Sequence, residues 1–475
     1  MSWEHVQALL LRPARADSVA HFVLRVAPGQ GGQALKELQG ALDKDAPLAL
    51  GADVAADRLH CTLGFTYRGL EMLGLPPAYL RVFSRLSPAF SQGAPLRAAR
   101  LGDSGPSAPA RWSEGFALDN AHVLISLHGS ARQLQDLKEK WTRRWPAPSP
   151  GRKEPAMTCM EILRGDRLGA PKGQTGQWVH FGFRDGLTDH HIVGFKRPPS
   201  TKEPRSPLPE PVEHAAGEFL LGHVNNSGFN DFCLPLAPQE VRKFFHDSSF
   251  GALRPMRQDV NSFQQGVVAL QRQAEAVLGT ALSADWVKAK LCGRWPGGEA
   301  LRPGQGEPKR DDMLLEFEKD ADGAGCPWFS HVRRMDARGH AGSEPRQRSL
   351  LRRGMPFGPA NWEGRADGQE RGLLGFFFCA SLEDQFEQLL GQWANANTRG
   401  APIGNQVCDP LAGQHEGSGA EIELPLGGGC AVRLSGFKPW TRTLGTLYSW
   451  HPSAHAIDRL LREDYLPAKE GGPWL

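Results

Sequence analysis

The chain has 475 residues, 55 basic and 52 acidic side chains, and a net charge of +3. That length is more than one core usually fills, so two domains or one pseudo-repeated unit are expected. The near-balanced charge argues against nucleic acid as the partner, and no apolar run approaches the ~20 residues that a membrane span needs.

The first half alternates strands and helices. Residues 21–28 predict a strand, 31–45 an amphipathic helix, 59–67 a strand and 68–75 a short helix. Residues 122–129 predict a strand, 130–145 a helix, and 178–186 a closing strand. This β-α-β-β-α-β order suggests an α+β sandwich of the ferredoxin-like kind. Residues 196–215, rich in Pro, Ser and charge, read as a linker.

The second half repeats the alternation. Helices are expected at 255–279 and 283–291, a strongly apolar strand at 372–381, and an amphipathic helix at 381–396. On that helix Leu382, Phe386, Leu389, Leu390 and Trp393 share a face. A strand is predicted at 430–437 and a helix at 451–463 with Pro452 in its first turn. The expected division is a domain over 1–195, the linker, and a second α+β domain over 216–475. The eight cysteines are scattered with no CxxC, and "MSWEHVQALLLRPARAD" has no signal-peptide pattern. A cytoplasmic protein fits best.

One stretch stands out: "HFGFRDGLTDHHIVGF", residues 180–195. Asp185 sits at a strand end between Phe183-Arg184 and Gly186. A buried, unpaired carboxylate is costly, and Gly182 and Gly186 would let something large approach the backbone. Taken alone, a turn aspartate is the better reading, and Arg184 could simply pair with it.

Other segments change that. "CPWFSHVRRMDARG" (326–339), "SLLRRGMPFG" (349–358) and "DGQERGLLGFFFCASLEDQFEQLLGQWANA" (367–396), taken with "FGFRDG", resemble the dye-decolourising peroxidases, a family of haem enzymes. "LGFTYRGLEMLGLP" (63–76), "LGDSGPSAPARW" (101–112), "GEFLLGHVNNSG" (217–228), "MRQDVNSF" (256–263) and "LCGRWPGGEAL" (291–301) look like stretches of the same family, in the same order. The resemblance implies two ferredoxin-like halves with antiparallel sheets flanked by helices. It also implies one non-covalent haem b per chain, held mainly by the C-terminal half; no CxxCH suggests covalent attachment.

Carried over residue by residue, the resemblance implies His331 as iron ligand, Asp185 as distal acid/base and Arg352 as distal arginine. It assigns Arg338 to a haem propionate, Leu374 and Phe376 to the distal wall, and Gly182, Phe183 and Gly186 to the haem-facing motif. His180 matches a pocket histidine of some members. A ligating histidine works best when its other nitrogen donates to a carboxylate; Glu383 is the expected partner and Glu387 the runner-up. His190 and His191 are rejected as ligands because they share a short segment with Asp185.

The implied activity is reduction of hydrogen peroxide with oxidation of dyes, phenolics or other aromatic donors. Asp185 would move the peroxide proton in mildly acidic solution, and Arg352 would stabilise the high-valent intermediate. Arg353 reads as solvated. Trp328, Trp393, Trp440, Tyr448 and Trp450 read as packing residues, with electron relay to the surface as the alternative. The rival readings are a haem-binding protein of the same fold with an iron-releasing or sensing role, and a haem-free interaction module. A homo-oligomer is compatible with the sequence. Departures from the family pattern include Ser330, Asp336-Ala337 and the segment "LTDHH" after Gly186.

Overall fold

The computed structural model describes residues 3–51, 58–149, 154–187, 190–195, 212–233, 239–335, 348–395, 408–414, 420–427 and 430–465. Its frame is one large antiparallel sheet. The first half supplies β1 (Ser18–Val26), β2 (His60–Phe65), β3 (Val123–Gly129) and β4 (Met157–Asp166). The second supplies β5 (Ser249–Gln258), β6 (Leu351–Arg352), β7 (Gly372–Cys379) and β8 (Leu447–His451). Across the sheet the order is β4-β1-β3-β2-β8-β5-β7-β6. Each half therefore has its fourth strand beside its first and its third beside its second, the ferredoxin-like arrangement. The halves join where Trp450 on β8 pairs with Phe65 on β2.

Helices α1 (Gly31–Lys44) and α2 (Ala131–Arg144) cross between strands of the first half, and α3 (Val260–Leu278) follows β5. Ser130 and Gln133 form a reciprocal cap at the start of α2, satisfying amide groups that a helix start leaves unbonded. The sheet face carrying Phe22, Leu63, Ile125, Phe250 and Trp450 enters the main core with Leu38 of α1 and Trp141 of α2. The other face carries Leu253, Phe376 and Phe378, packed with Leu9 and Leu10. Burying each such phenylalanine contributes about 1.5–3 kcal/mol. The sheet curls: a Cβ at Gly165 on β4 would stand 2.7 Å from the carbonyl oxygen of Pro356, in the strand Met355–Phe357 beside β7.

Several expected elements differ. Residues 178–186 are not one strand but a hairpin, Gln177–Val179 with Phe183–Asp185. The fourth strand is instead Met157–Asp166, whose many half-buried positions give no clean alternation in sequence. The helix expected at 255–279 starts at Val260, after Asp259 accepts the amide of Ser262 at 2.9 Å; residues 255–258 finish β5. Strand 430–437 forms a separate hairpin with Ala420–Gly427. The helix after β7 spans Leu382–Ala394 but is wound as a π-helix. Pro452 precedes the capping residue Ser453 of the final helix rather than lying inside it.

Candidate active site

His331 opens the short helix His331–Met335. The preceding Ser330 hydroxyl donates to the Lys290 carbonyl at 2.5 Å and fixes the chain there. His331 Nδ1 lies 2.7 Å from Oδ2 of Asp409. Asp409 is fully buried, and its Oδ1 accepts the amides of Leu411 at 2.8 Å and Ala412 at 3.0 Å. Burial alone would raise this carboxyl's pKa. The adjacent His331 and the two backbone N–H groups outweigh burial and hold it below the usual carboxylate range. An ionised Asp409 makes Nδ1 the protonated nitrogen and leaves Nε2 its lone pair. Among the described residues no hydrogen bond is made to that Nε2. A carboxylate-backed imidazole of this kind is a metal ligand with raised basicity.

His331 lines a cavity of about 340 Å³. Phe181, Phe183 and Asp185 reach it from the hairpin; Arg254, Met256, Leu373 and Phe377 from β5 and β7; and Phe386, Leu389 and Trp393 from the π-helix. The walls are thus mainly apolar. Arginines 184, 254, 294, 348 and 352 also border the space. Arg254 is committed to the buried Asp103, 2.6 and 2.8 Å away, and to Thr446. Arg348 donates to the Asp384 carbonyl at 2.6 Å. Asp185 and Arg352 form no ion pair with each other, and among the described residues no side-chain hydrogen bond engages either. Both therefore keep their polar atoms for an occupant. An apolar space bordered by arginines, with one imidazole lone pair, suits a flat apolar macrocycle bearing carboxylates and a central metal. The residues present fit haem.

No family model matches the chain. The dye-decolorizing peroxidase msp1 of Mycetinis scorodonius is 28% identical over 275 residues, covering 53% of this chain and 49% of that protein. Peroxidase 2 of the same organism is 24% identical over 385 residues, covering 74% and 65%. The matches thus span about half and just under two thirds of these relatives' lengths. A solved dye-decolorizing peroxidase complexed with 2,6-dimethoxyphenol has the same fold. It aligns with a TM-score of 0.72 at 20% identity, over 97% of this chain and 99% of that one. The chain is thus similar in sequence to dye-decolourising peroxidases and shares their fold.

Against the dye-decolourising peroxidase pattern, the structure brings His331, Asp185, Phe183 and Arg352 to one cavity and corrects other expectations. Glu383 is not the partner of His331. It accepts the amide of Ala89 at 2.5 Å and the hydroxyl of Ser87 at 3.1 Å, and burial pushes its carboxyl up. Glu387 is held by buried Arg97 and by the Tyr448 hydroxyl at 3.1 Å. Leu374 and Phe376 do not wall the cavity. Side chains alternate along a strand, so Leu373 and Phe377 face the cavity while Leu374 and Phe376 enter the opposite core.

His180 is buried off the cavity wall, its Nε2 2.8 Å from the Phe357 carbonyl, and burial lowers its pKa to about 4. Gly182 and Gly186 stand at φ +82° and +71°, left-handed backbone that glycine supplies without strain. A Cβ at Gly182 would meet no protein atom within 4 Å. Arg353 is not solvated: it is buried and donates from Nε to the Leu9 carbonyl at 2.8 Å. Arg338, Asp336 and Ala337 lie outside the described residues. His190 does line the cavity, with Nδ1 2.9 Å from Nε2 of His214.

Trp440 packs on Phe263, and Trp450 on Phe83 and Phe244. Trp328 lies under the Arg333 guanidinium. Sequence reasoning missed Asp409 and the Arg254–Asp103 pair. "CDPLAG" reads as a turn, since an Asp before Pro favours turn initiation, and nothing in its spacing links it to His331.

Proposed function

We propose that this protein is a haem-dependent peroxidase that reduces hydrogen peroxide and oxidises dyes, phenolics or other aromatic donors. The observation that carries the reading is His331, backed by Asp409, lining one cavity together with Asp185 and Arg352. The names of the relatives and the phenol complex of a structural neighbour support the substrate class.

Haem b, non-covalent and one per chain, would be held by His331 Nε2, with Phe181, Phe183, Leu373 and Phe377 lining the space for the macrocycle. When bound it supplies a redox-active iron for peroxide. Asp409 holds the Nδ1 proton and keeps His331 oriented and basic. Asp185 takes a proton from one peroxide oxygen and returns it to the other. Arg352 presents fixed donors to the charge that develops on the departing oxygen, worth about 3–4 kcal/mol from one such group. The aromatic walls exclude water. Among the described residues seven cysteines are free thiols, in keeping with a cytoplasmic setting. Among the described residues no helix is long and apolar enough to cross a membrane.

The test is haem reconstitution of the full chain, followed by peroxide and 2,6-dimethoxyphenol. A Soret band and steady phenol oxidation are expected. Arg352→Leu should keep the band and lose turnover. No Soret band after reconstitution overturns the reading.

A further inference from the structure

One cluster of ligand-type side chains lies outside the cavity. His223 follows the loop after Ala216–Glu218, and His246 and Asp247 connect the helix Gln239–Phe245 to β5. His223 Nε2 is 2.7 Å from Asp247 Oδ1, and His246 Nδ1 is 3.1 Å from Asp247 Oδ2. The donor atoms of the three residues all lie within 4.8 Å of one another. The two imidazole rings lie with centroids 4.3 Å apart, tilted by 59°.

The backbone holds this cluster in place. Leu221 N donates to the Ser248 carbonyl at 2.8 Å, and Asp247 N donates to the Leu221 carbonyl at 3.1 Å. The two ligand-bearing segments are therefore already stitched together. Between them Gly222 stands at φ +82°, and a Cβ there would fall 2.6 Å from Cδ2 of His246. A side chain at 222 would evict the ring. Asp247 itself adopts φ +62°, which aspartate tolerates better than most residues.

We propose that His223 Nε2, His246 Nδ1 and the Asp247 carboxylate bind a late first-row divalent cation such as Zn²⁺. Two imidazoles and one carboxylate form a recurrent three-residue zinc set, with water taking the fourth position. Metal–ligand bonds of ~2.0–2.2 Å in tetrahedral geometry put ligand atoms roughly 3.4 Å apart. The 3.1 Å contact of His246 would lengthen by roughly 0.3 Å and the 2.7 Å contact of His223 by roughly 0.7 Å. The metal replaces whatever protons those nitrogens carry, which leave to solvent. The bound cation would staple the two segments together. One of them continues into Asn225, Ser227 and Asn230, which line a second cavity beside Ser87 and Glu383. The proposal does not depend on the peroxidase reading, because none of these residues lines the His331 cavity.

The test uses the full haem-loaded chain, treated with chelator and then titrated with Zn²⁺ by calorimetry and metal analysis. One zinc per chain is expected, with roughly micromolar or tighter affinity, a raised Tm and an unchanged Soret band. His223→Gln, His246→Gln and Asp247→Asn should each weaken binding by about tenfold or more. His246, with a 43% exposed side chain, tolerates substitution and decides the matter if His223→Gln fails to fold. Millimolar or absent binding, or affinity unaltered in His246→Gln, overturns the proposal.

Discussion

The two sides of the sheet treat histidine differently. On the cavity side, His331 is backed by the buried carboxylate of Asp409. Inside the curl, His21 contacts the Ser126 hydroxyl at 2.8 Å, while His451 contacts the Leu63 carbonyl at 2.9 Å and the Ser449 hydroxyl at 2.8 Å. Burial without a charged partner pushes both interior rings down to about 3. The residue type is the same, but the acceptor sets the role. A neutral acceptor holds a neutral packing ring, whereas a carboxylate prepares a ring to face positive charge.

The largest contrast expected is between His331→Ala and His451→Gln. The first should lose the five-coordinate haem spectrum and all peroxide-driven turnover. The second should keep the spectrum at a lower Tm. The reverse pattern, read in one absorption experiment, would dissolve the distinction between the two sides.

Next, Asp185→Asn should lower kcat by about 10²–10⁴, the usual reach of a positioned acid/base, with haem still bound. Wild-type turnover in that variant would remove the role. Leu374→Ala should cost about 2–5 kcal/mol of stability through the cavity it leaves and spare phenol oxidation. Leu373→Ala should disturb oxidation instead. Denaturant melts and turnover on the pair test the register directly.

Asp409→Asn should weaken haem retention or activity by about 10–100-fold, as lost ligand orientation does elsewhere. The smallest effect, per pH unit, belongs to the interior. His21 and His451 titrate near 6.5 when unfolded and about 3 when folded. The unfolded chain thus binds more protons in that window, and stability falls as pH drops from 6.5 toward 3. Each ring contributes about 1.4 kcal/mol per pH unit. Denaturation midpoints that stay flat across this range would contradict the buried neutral assignment.

Much of this was legible in the sequence. The α/β alternation and the ordered family-like segments led to the fold, and through it to Asp185, His331 and Arg352. What was not legible has physical causes. Asp409 meets His331 across 78 residues, a contact that only tertiary folding creates. Leu374 and Phe376 fell on the wrong face because an all-apolar run such as "GLLGFFFC" carries no alternation to fix its phase. Strand Ser249–Gln258 contains Gly251 and Pro255, residues depleted from strands, and its end was absorbed into the helix that follows. The turn in "HFGFRDG" was hidden in an aromatic run and marked only by Gly182.

The meeting of Phe65 with Trp450 sets a timetable for synthesis. Strand β2 leaves the ribosome roughly 380 residues before Trp450, the β8 residue that pairs with its Phe65. At ~5–20 residues per second the delay is roughly 20–80 s. During that time β1 to β4 can pair among themselves, and Ala49 and Gln7 already bond Cys61 and Leu63 on that edge, which leaves the Phe65 end of β2 to wait for β8. The open part of the β2 edge during synthesis is therefore its Phe65 end, and a chaperone that shields it until residue 451 emerges would raise the yield of folded protein.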